Sequence, residues 1–229
     1  MKTIGLVGGI SWLSTAEYYK YLNLLVNERL GGVNAAKVII YSINFQEIKT
    51  LTEADDWDGI AAIVCHAAKE LEKAGADCLL VGANTMHKIA DTIQASVGIP
   101  MLHVAVVTAE AIKRKKLKTV ALLGTKYVMQ EAFYRDRLTE EGITVIIPEQ
   151  ADIDYINHVI YNEFGKGIFT EETKTRFLAI IAKLKSQGAE GVIFGCTEIP
   201  ILIKEAESPI PVFDTTLIHA TSAVDFALE

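Results

Sequence analysis

The chain has few cysteines, no long apolar run and no excess of positive charge. Its three cysteines, Cys65, Cys78 and Cys196, form neither a metal-binding spacing nor a paired disulfide framework. No apolar stretch approaches the ~20 residues that a membrane span needs. At a net charge of −7, the chain lacks the basic surface that nucleic acids and anionic membranes require. We therefore expect no nucleic-acid partner, no membrane partner and no metal site.

The N-terminal segment MKTIGLVGGISW carries one lysine and a short apolar run that a glycine pair interrupts. It has no convincing cleavage site, so it is typical of a buried first strand and not of a signal peptide. Together with the unpaired cysteines, this predicts a reduced, cytoplasmic setting as the default. Half of the 229 residues are hydrophobic, so the chain can bury a sizeable core as one domain or as two compact lobes.

Three apolar segments recur in the same order and at nearly the same separation. The pairs are KTIGLVGG at Lys2 with KTVALLGT at Lys118, AGADCLLVGANT at Ala74 with QGAEGVIFGCT at Gln187, and IPMLHV at Ile99 with IPVFDT at Ile210. Each run is short and rich in residues that favour strands, and the first two end in a glycine where a strand would open into a loop. The order and spacing indicate an internal repeat.

Segments with helical periodicity lie between these runs. One of them, STAEYYKYLNLLVNERLGG, is predicted to begin at a Ser14 cap and to stop at its glycine pair. Strands that alternate with helices indicate βαβ units and parallel sheets covered on both faces. We therefore predict an α/β fold with two similar lobes related by a pseudo-twofold axis. The first lobe is residues 1–102, completed by 213–229, and the second is residues 103–212.

Two related motifs follow matching strands, VGANTMH at residues 81–87 and FGCTEIP at residues 194–200. Each opens with a hydrophobic residue and a glycine and then has a threonine, but one carries Cys196 where the other has Ala83. Ligands of open parallel sheets bind at the carboxyl ends of strands. We therefore expect the two motifs to face one another across a cleft between the lobes, which would hold the active site.

Cys196 is the candidate reactive group. It precedes TEIPILIKEAE, which predicts a helix with Thr197 as its cap and Pro200 in its first turn. A helix N-terminus favours the thiolate and lowers the thiol pKa from about 8.5, so Cys196 is predicted to act as a base or nucleophile. Cys65 and Cys78 are instead predicted to be small buried hydrophobes.

Asn84 and Thr85 precede MHKIADTIQ and predict the corresponding cap on the other side. A purely structural cap would contribute ~1 kcal/mol to stability. In the functional interpretation, their amides and hydroxyls hold a substrate carboxylate. The residues alone leave both interpretations open.

The segments GGISWLSTAEYYKYLN, GANTMH and FGCTEI together resemble the aspartate/glutamate racemase family, in particular its broad-specificity branch, and the closing PVFDTTLIHA also fits. The resemblance covers essentially the whole chain. It implies a small amino-acid substrate, no pyridoxal phosphate or other cofactor, and commonly a homodimer. It also implies two acid/base residues, usually cysteines, on opposite faces of the substrate Cα. Cys196 matches the second of these, whereas Ala83 stands where the first should be.

The resemblance further implies a set of substrate contacts. The α-carboxylate would be held by amide and hydroxyl residues at strand ends, namely Asn84, Thr85, Thr125 and Thr197. The first glycine turn would line the pocket with Ile10 and Ser11. A distal carboxylate would be held by Lys166 and, as a looser match that is equally compatible with a solvated lysine, by Lys49. Thr52 lies near another side-chain contact. His87 and Glu198 directly follow the two predicted sites, inside the two motifs, and could tune them.

An alanine at the first base has a chemical consequence. Losing a positioned acid or base costs about 10² to 10⁴ in rate, so two-base racemisation should be crippled in at least one direction. Four explanations stay open: an alanine introduced to trap substrate, a slow racemase with water or His87 as second acid, one-sided carbanion chemistry such as decarboxylation, or an amino-acid-binding protein without catalysis. The retained Cys196, Asn84, Thr85 and Lys166 favour a racemase of acidic amino acids with an altered or disabled first base.

Overall fold

A computed structural model describes all 229 residues. The strands are β1 (Ile4–Gly8), β2 (Val38–Ser42), β3 (Cys78–Val81), β4 (Thr119–Gly124), β5 (Thr144–Ile146), β6 (Gly191–Gly195) and β7 (Val212–Asp214). The α-helices are α1 (Trp12–Leu30), α2 (Phe45–Glu53), α3 (Trp57–Lys73), α4 (Ala90–Ser96), α5 (Val104–Arg114), α6 (Lys126–Gln130), α7 (Ala132–Glu140), α8 (Gln150–Asn162), α9 (Glu171–Ser186), α10 (Ile199–Leu202) and α11 (Thr215–Leu228). Three 3-10 helices cover Asn84–Ile89, Phe164–Lys166 and Glu205–Glu207. None of the helices is both long enough and apolar enough to span a membrane.

The chain divides into two compact units. Unit 1 comprises Met1–His103 and His219–Glu229, and unit 2 comprises Val104–Ile218. The boundaries predicted from the sequence lay at 102/103 and 212/213. The second crossover between the units falls inside α11, because β7 and the first residues of that helix belong to unit 2.

Unit 1 is built on a parallel sheet with strand order β2-β1-β3. The central strand β1 is buried along its whole length, and its side chains alternate between two cores. Val7 packs in a core that includes Ile60 and Val64 of α3. Leu6 packs on the other face with Leu22 of α1. Helices therefore cover both faces, as the continuous apolar character of the strand predicts.

Unit 2 is built on a parallel sheet with strand order β5-β4-β6-β7. One face of β6, with Phe194, packs against α8 and α9, where Phe177 is fully buried. The opposite face, with Ile193, packs against α5 and α7, where Leu138 is fully buried. In both units a central first strand lies between the next two strands of its repeat, so the predicted α/β class with two parallel sheets is confirmed.

The start of α1 differs from the prediction. The helix begins at Trp12, and its N-cap is Ser11, whose Oγ accepts a hydrogen bond from the Ser14 amide at 3.4 Å. Ser14 itself lies inside the first turn and donates its hydroxyl to the Gly82 carbonyl at 2.7 Å. The predicted Ser14 cap is therefore wrong, because that hydroxyl ties α1 to the end of β3. The helix does stop before the glycine pair, with Gly31 as its C-cap.

Gly9 and Gly31 both have positive φ angles, of 88° and 71°, but only Gly9 is enclosed. A Cβ on Gly9 would overlap the Ile43 carbonyl oxygen, whereas nothing lies within 4 Å of a Cβ on Gly31. We expect Gly9→Ala to lower the free energy of unfolding by about 3 kcal/mol, because backbone strain and overlap add. Gly31→Ala should lower the free energy of unfolding by only about 1 kcal/mol. Urea unfolding of both variants checks this, and equal losses would contradict it.

Candidate functional site

The carboxyl ends of β4 and β6 bring two predicted site residues together in unit 2. Gly124 lies opposite Gly195 in the parallel register, and Thr125 and Cys196 are the next residues of the two strands. A Cβ at Gly195 would lie 2.9 Å from the Leu123 carbonyl oxygen, so only glycine permits this close approach. Thr125 turns the chain into α6 by accepting a hydrogen bond from the Val128 amide at 3.3 Å.

The turn after β6 buries a thiol, a hydroxyl and a carboxylate. Cys196, Thr197 and Glu198 are each less than a tenth exposed. The Cys196 thiol donates a hydrogen bond to Oε2 of Glu198 at 3.0 Å, and the Thr197 hydroxyl donates to the same oxygen at 2.8 Å. A buried carboxylate requires such donors, since an unpaired charge away from water is costly. The three side chains therefore form one hydrogen-bonded group.

Burial raises the pKa of the Cys196 thiol well above its ordinary value, and the negative charge and hydrogen bond of Glu198 raise it further. The backbone amides of Thr197 and Glu198 favour the thiolate, but they do not outweigh these effects. The prediction of a lowered pKa is therefore wrong. A thiol held against a carboxylate in a water-poor turn rests in its protonated form.

The predicted cap at this turn is also wrong. The helix α10 has only four residues, its N-cap is Glu198, and no side chain makes a capping hydrogen bond. Thr197 instead donates to Glu198, while Pro200 does occupy the first helical turn as predicted. The amides that were expected to stabilise a thiolate belong to a helix too short to dominate the electrostatics of the site.

The end of β7 supports the turn from the neighbouring strand. Asp214 lies opposite Phe194 in the register, and the Thr215 hydroxyl donates to the Phe194 carbonyl at 2.8 Å. Asp214 Oδ1 accepts hydrogen bonds from the Thr216 and Leu217 amides at 2.9 and 3.2 Å, which begins α11. The segment PVFDTTLIHA therefore pairs with and hydrogen-bonds to β6, the strand that precedes Cys196.

The ends of β1 and β3 bring together the predicted site residues of unit 1. Pairing between the strands ends with Val7 opposite Val81, and the Gly82 amide then donates to the Val7 carbonyl at 2.9 Å. The residues that follow the two strands are buried except for the half-buried Ala83: Ile10, Ser11, Asn84 and Thr85. Parallel strands thus place the two sequence motifs of this unit side by side.

Asn84 and Thr85 do not cap a helix with their side chains. They are the first two residues of the 3-10 helix Asn84–Ile89, whose N-cap is Ala83 and which has no side-chain capping hydrogen bond. The α-helix that follows begins only at Ala90. The predicted cap is therefore wrong. A different side-chain contact is present in this turn, in which His87 Nδ1 lies 3.1 Å from the Ala83 carbonyl oxygen.

The predicted distal-carboxylate residues lie on separate elements. Lys49 is on α2 and pairs with Glu53 at 3.6 Å, an exposed contact of the kind that contributes little stability. Thr52, also on α2, is buried and donates to the Ile48 carbonyl at 2.7 Å. Lys166 of unit 2 is exposed and ends the 3-10 helix Phe164–Lys166. The roles of these residues stay predictions.

The sequence analysis did not predict a cluster of aromatic side chains around His87, in which His87, His219 and Tyr18 are buried and His103 is half-buried. The His87 ring lies 4.8 Å from the His103 ring and 5.8 Å from the His219 ring. His219 Nε2 lies 2.7 Å from the Leu102 carbonyl oxygen, and its Nδ1 lies 2.9 Å from the Tyr18 hydroxyl. Tyr18 and His219 are 201 positions apart, so no local pattern could have joined them.

Two of these histidines, His87 and His219, are held neutral. Burial lowers the pKa of His219 to about 4. Burial also lowers the pKa of His87 well below its ordinary value, and the neighbouring imidazoles of His103 and His219 lower it further. No group of three or more His, Cys, Asp or Glu side chains is placed to hold a metal ion. His87 and His219 therefore offer hydrogen bonds and not charge.

Residues 7–223 match the family model of Asp/Glu/Hydantoin racemase. A broad specificity amino-acid racemase, RacX of Bacillus subtilis (strain 168), is 28% identical over 74% of this chain and 73% of its own length. A Yersinia pestis protein that is itself a candidate Asp/Glu racemase is 46% identical, with a TM-score of 0.92 over the whole of both chains. An aspartate racemase homologue from Pyrococcus horikoshii OT3 is 36% identical, with a TM-score of 0.87, again over both whole chains.

Glu198→Gln tests the electrostatics of the turn after β6. Because the charge of Glu198 raises the thiol pKa, the uncharged isostere should lower the pKa of Cys196 and speed its alkylation at neutral pH. Alkylation by iodoacetamide is followed against pH with peptide-resolved mass spectrometry. Cys78, whose pKa burial raises to about 12, is the internal reference. An unchanged or higher pKa for Cys196 would contradict the assignment.

His219 predicts a loss of stability in acid. Its folded-state pKa of about 4 lies below the ordinary 6.5, so the unfolded chain takes up this proton first as the pH falls. The loss should begin near pH 6.5, be complete near pH 4 and reach roughly 3 kcal/mol. His219→Gln removes this titration, so its urea stability should change less between pH 7 and 4. If the free energy of unfolding fell equally with pH in wild type and in His219→Gln, His219 would not be the cause of the acid instability.

Proposed function

Because the chain belongs to the Asp/Glu/Hydantoin racemase family, we propose that it acts at the α-carbon of an acidic amino acid, with Cys196 as its acid/base group. The position of the opposing base is occupied by Ala83, so inversion is slow relative to proton exchange on the face that Cys196 serves. The chemistry requires no pyridoxal phosphate, and the family resemblance also supports a homodimer.

The hydrogen bond between Cys196 and Glu198 is the observation that carries the proposal. A thiol that rests protonated can donate its proton to a carbanion at the substrate Cα and become a thiolate. In the reverse direction, Glu198 Oε2, at 3.0 Å, accepts the thiol proton, and the thiolate then removes the Cα proton. The buried pair therefore moves one proton in either direction, and exchange of that proton with solvent is what would carry deuterium from D₂O to the substrate Cα.

Substrate binding is assigned to the buried polar residues at the strand ends. We assign the α-carboxylate to Asn84, Thr85, Thr125 and Thr197, whose amides and hydroxyls can donate hydrogen bonds without adding charge. The Thr197 hydroxyl would exchange its hydrogen bond to Glu198 for one to the ligand. Lys166 is exposed and makes no ion pair, so its ammonium is available for a distal carboxylate. The pairing of Lys49 with Glu53 is weak enough to be exchanged for a ligand. Ile10, Ser11 and Thr52 complete the assignment as pocket residues.

Ala83 supports a second candidate, one-sided carbanion chemistry such as decarboxylation. A methyl group neither donates nor accepts a proton, so only the face served by Cys196 has a side chain for proton transfer. A decarboxylase needs only that one proton, delivered to the carbanion that loss of carbon dioxide leaves. The two candidates therefore share the acid and differ in how the carbanion is formed.

The deciding measurement is proton NMR in D₂O with each enantiomer of aspartate and glutamate, together with chiral analysis of the product. We expect loss of the Cα–H signal with retention, at least about tenfold faster than inversion, since one of the two bases is absent. Inversion that keeps pace with exchange would instead require a second acid near Ala83. Saturable binding without exchange of the Cα proton would contradict racemisation and would favour decarboxylation or a binding role without catalysis.

Matched variants test the acid/base group on each face of the substrate Cα separately. Ala83→Cys should raise inversion by about 10² to 10⁴, because it restores a second acid/base, whereas Ala83→Val of similar size should not. Cys196→Ala should abolish exchange in both backgrounds. Cys65→Ala is the control for a cysteine that has no assigned role. Exchange that survives Cys196→Ala would refute the assignment of the acid.

A further inference from the structure

The Ala83 carbonyl is held by two donors from within its own turn. The Met86 amide lies 3.2 Å from this oxygen, and His87 Nδ1 lies 3.1 Å from it. The 3-10 helix that begins here has no side-chain cap, so these two contacts restrain its first peptide group. One of the two comes from a side chain, and a substitution can therefore remove it without altering the backbone.

The contact determines the tautomer of His87. A carbonyl oxygen only accepts hydrogen bonds, so Nδ1 carries the proton and the neutral ring has a bare Nε2. That Nε2 atom is buried and has no hydrogen-bond partner. The imidazole thus spends its single donor on the backbone of its own turn, on the Ala83 carbonyl at 3.1 Å with a further backbone contact to Asn84.

The surroundings of His87 keep its ring neutral. The titratable groups that face it are the imidazoles of His103 and His219, at 4.8 and 5.8 Å between ring centroids. His219 is itself tied to Tyr18 and Leu102, which fixes the back of the cluster. A second proton on His87 would put a buried donor without an acceptor beside two further imidazoles, and that is unfavourable.

We propose that neutral His87 is a positioning residue, which holds the Ala83 carbonyl and thereby orients the peptide group between Ala83 and Asn84 for binding the substrate carboxylate. In a trans peptide the C=O and N–H groups point in opposite directions. With the carbonyl turned toward His87, the Asn84 amide N–H points away from the imidazole. The inference rests on the proposed function, which assigns the α-carboxylate to Asn84 and Thr85.

A merely structural role would have a different signature. If His87 only filled space in the core of unit 1, any smaller side chain would weaken stability and binding together. If it acts through its Nδ1–H donor, a side chain that restores a donor at that place should preserve binding even when stability falls. Asparagine and leucine make a matched pair for this test, because their side chains are similar in shape and only asparagine has a donor near the Nδ1 position.

The affinity for L-aspartate, L-glutamate and their D enantiomers is measured by calorimetry for wild type, His87→Leu and His87→Asn, with thermal unfolding in parallel. We expect His87→Leu to raise Kd about tenfold and His87→Asn to raise it less than about threefold, while both lower Tm by similar amounts. His158→Leu, on the exposed face of α8, is the control for loss of a histidine. Equal loss of affinity in the Leu and Asn variants, or no loss in either, would overturn the inference.

A second measurement does not depend on a ligand. Nitrogen-15 NMR of the imidazole should show the neutral Nδ1–H tautomer at pH 6 to 7, and the Asn84 amide resonance should shift in His87→Leu but return toward wild type in His87→Asn. An Nε2–H tautomer, or an Asn84 resonance indifferent to both substitutions, would overturn the positioning role. If wild type binds none of the four amino acids, the proposed function fails, and this measurement still decides the geometry.

Discussion

The hydrogen bond between the buried Cys196 thiol and the Glu198 carboxylate is the interaction that sets the protonation of the turn after β6. In water the two groups would ionise independently, but in the buried turn after β6 the thiol keeps its proton and donates it in a hydrogen bond to the carboxylate at 3.0 Å. The parallel sheet makes this possible, since the close approach of Gly124 and Gly195 lets two strand ends lie side by side beneath the turn. Burial and pairing together keep the sulfur protonated and ready to donate.

The two units share the arrangement of their first three strands but differ in the side chains that follow the matching strands. Each unit places a turn at the end of a strand that pairs with the first strand of its sheet. In unit 2 the turn carries the thiol and its carboxylate. In unit 1 the equivalent turn has Ala83, and a buried neutral imidazole, His87, restrains its backbone. One turn therefore contains a protonated thiol beside a carboxylate, and the other contains a backbone carbonyl in contact with an imidazole.

Helix ends predicted from neighbouring residues were correct where the backbone alone decides them. They were wrong where a buried side chain makes a competing hydrogen bond. The glycine pair after Leu30 ended α1 as predicted, because helix termination depends on neighbouring backbone angles. The caps predicted at Thr197 and Asn84 were wrong: the Thr197 hydroxyl is taken by Glu198, and Asn84 begins a 3-10 turn. Capping propensities describe short-range competition for amides, and a buried carboxylate or imidazole changes that competition.

The sequence by itself determined the class of fold, because apolar runs, helical periodicity and the ordered repeat are properties of neighbouring residues that βαβ units preserve. It also identified Cys196 and Ala83 as equivalent positions. Only the tertiary structure decided the protonation of the site, since the pKa of Cys196 depends on burial. The histidine cluster likewise required the fold, because Tyr18 meets His219 only when strands and helices distant in the chain pack together.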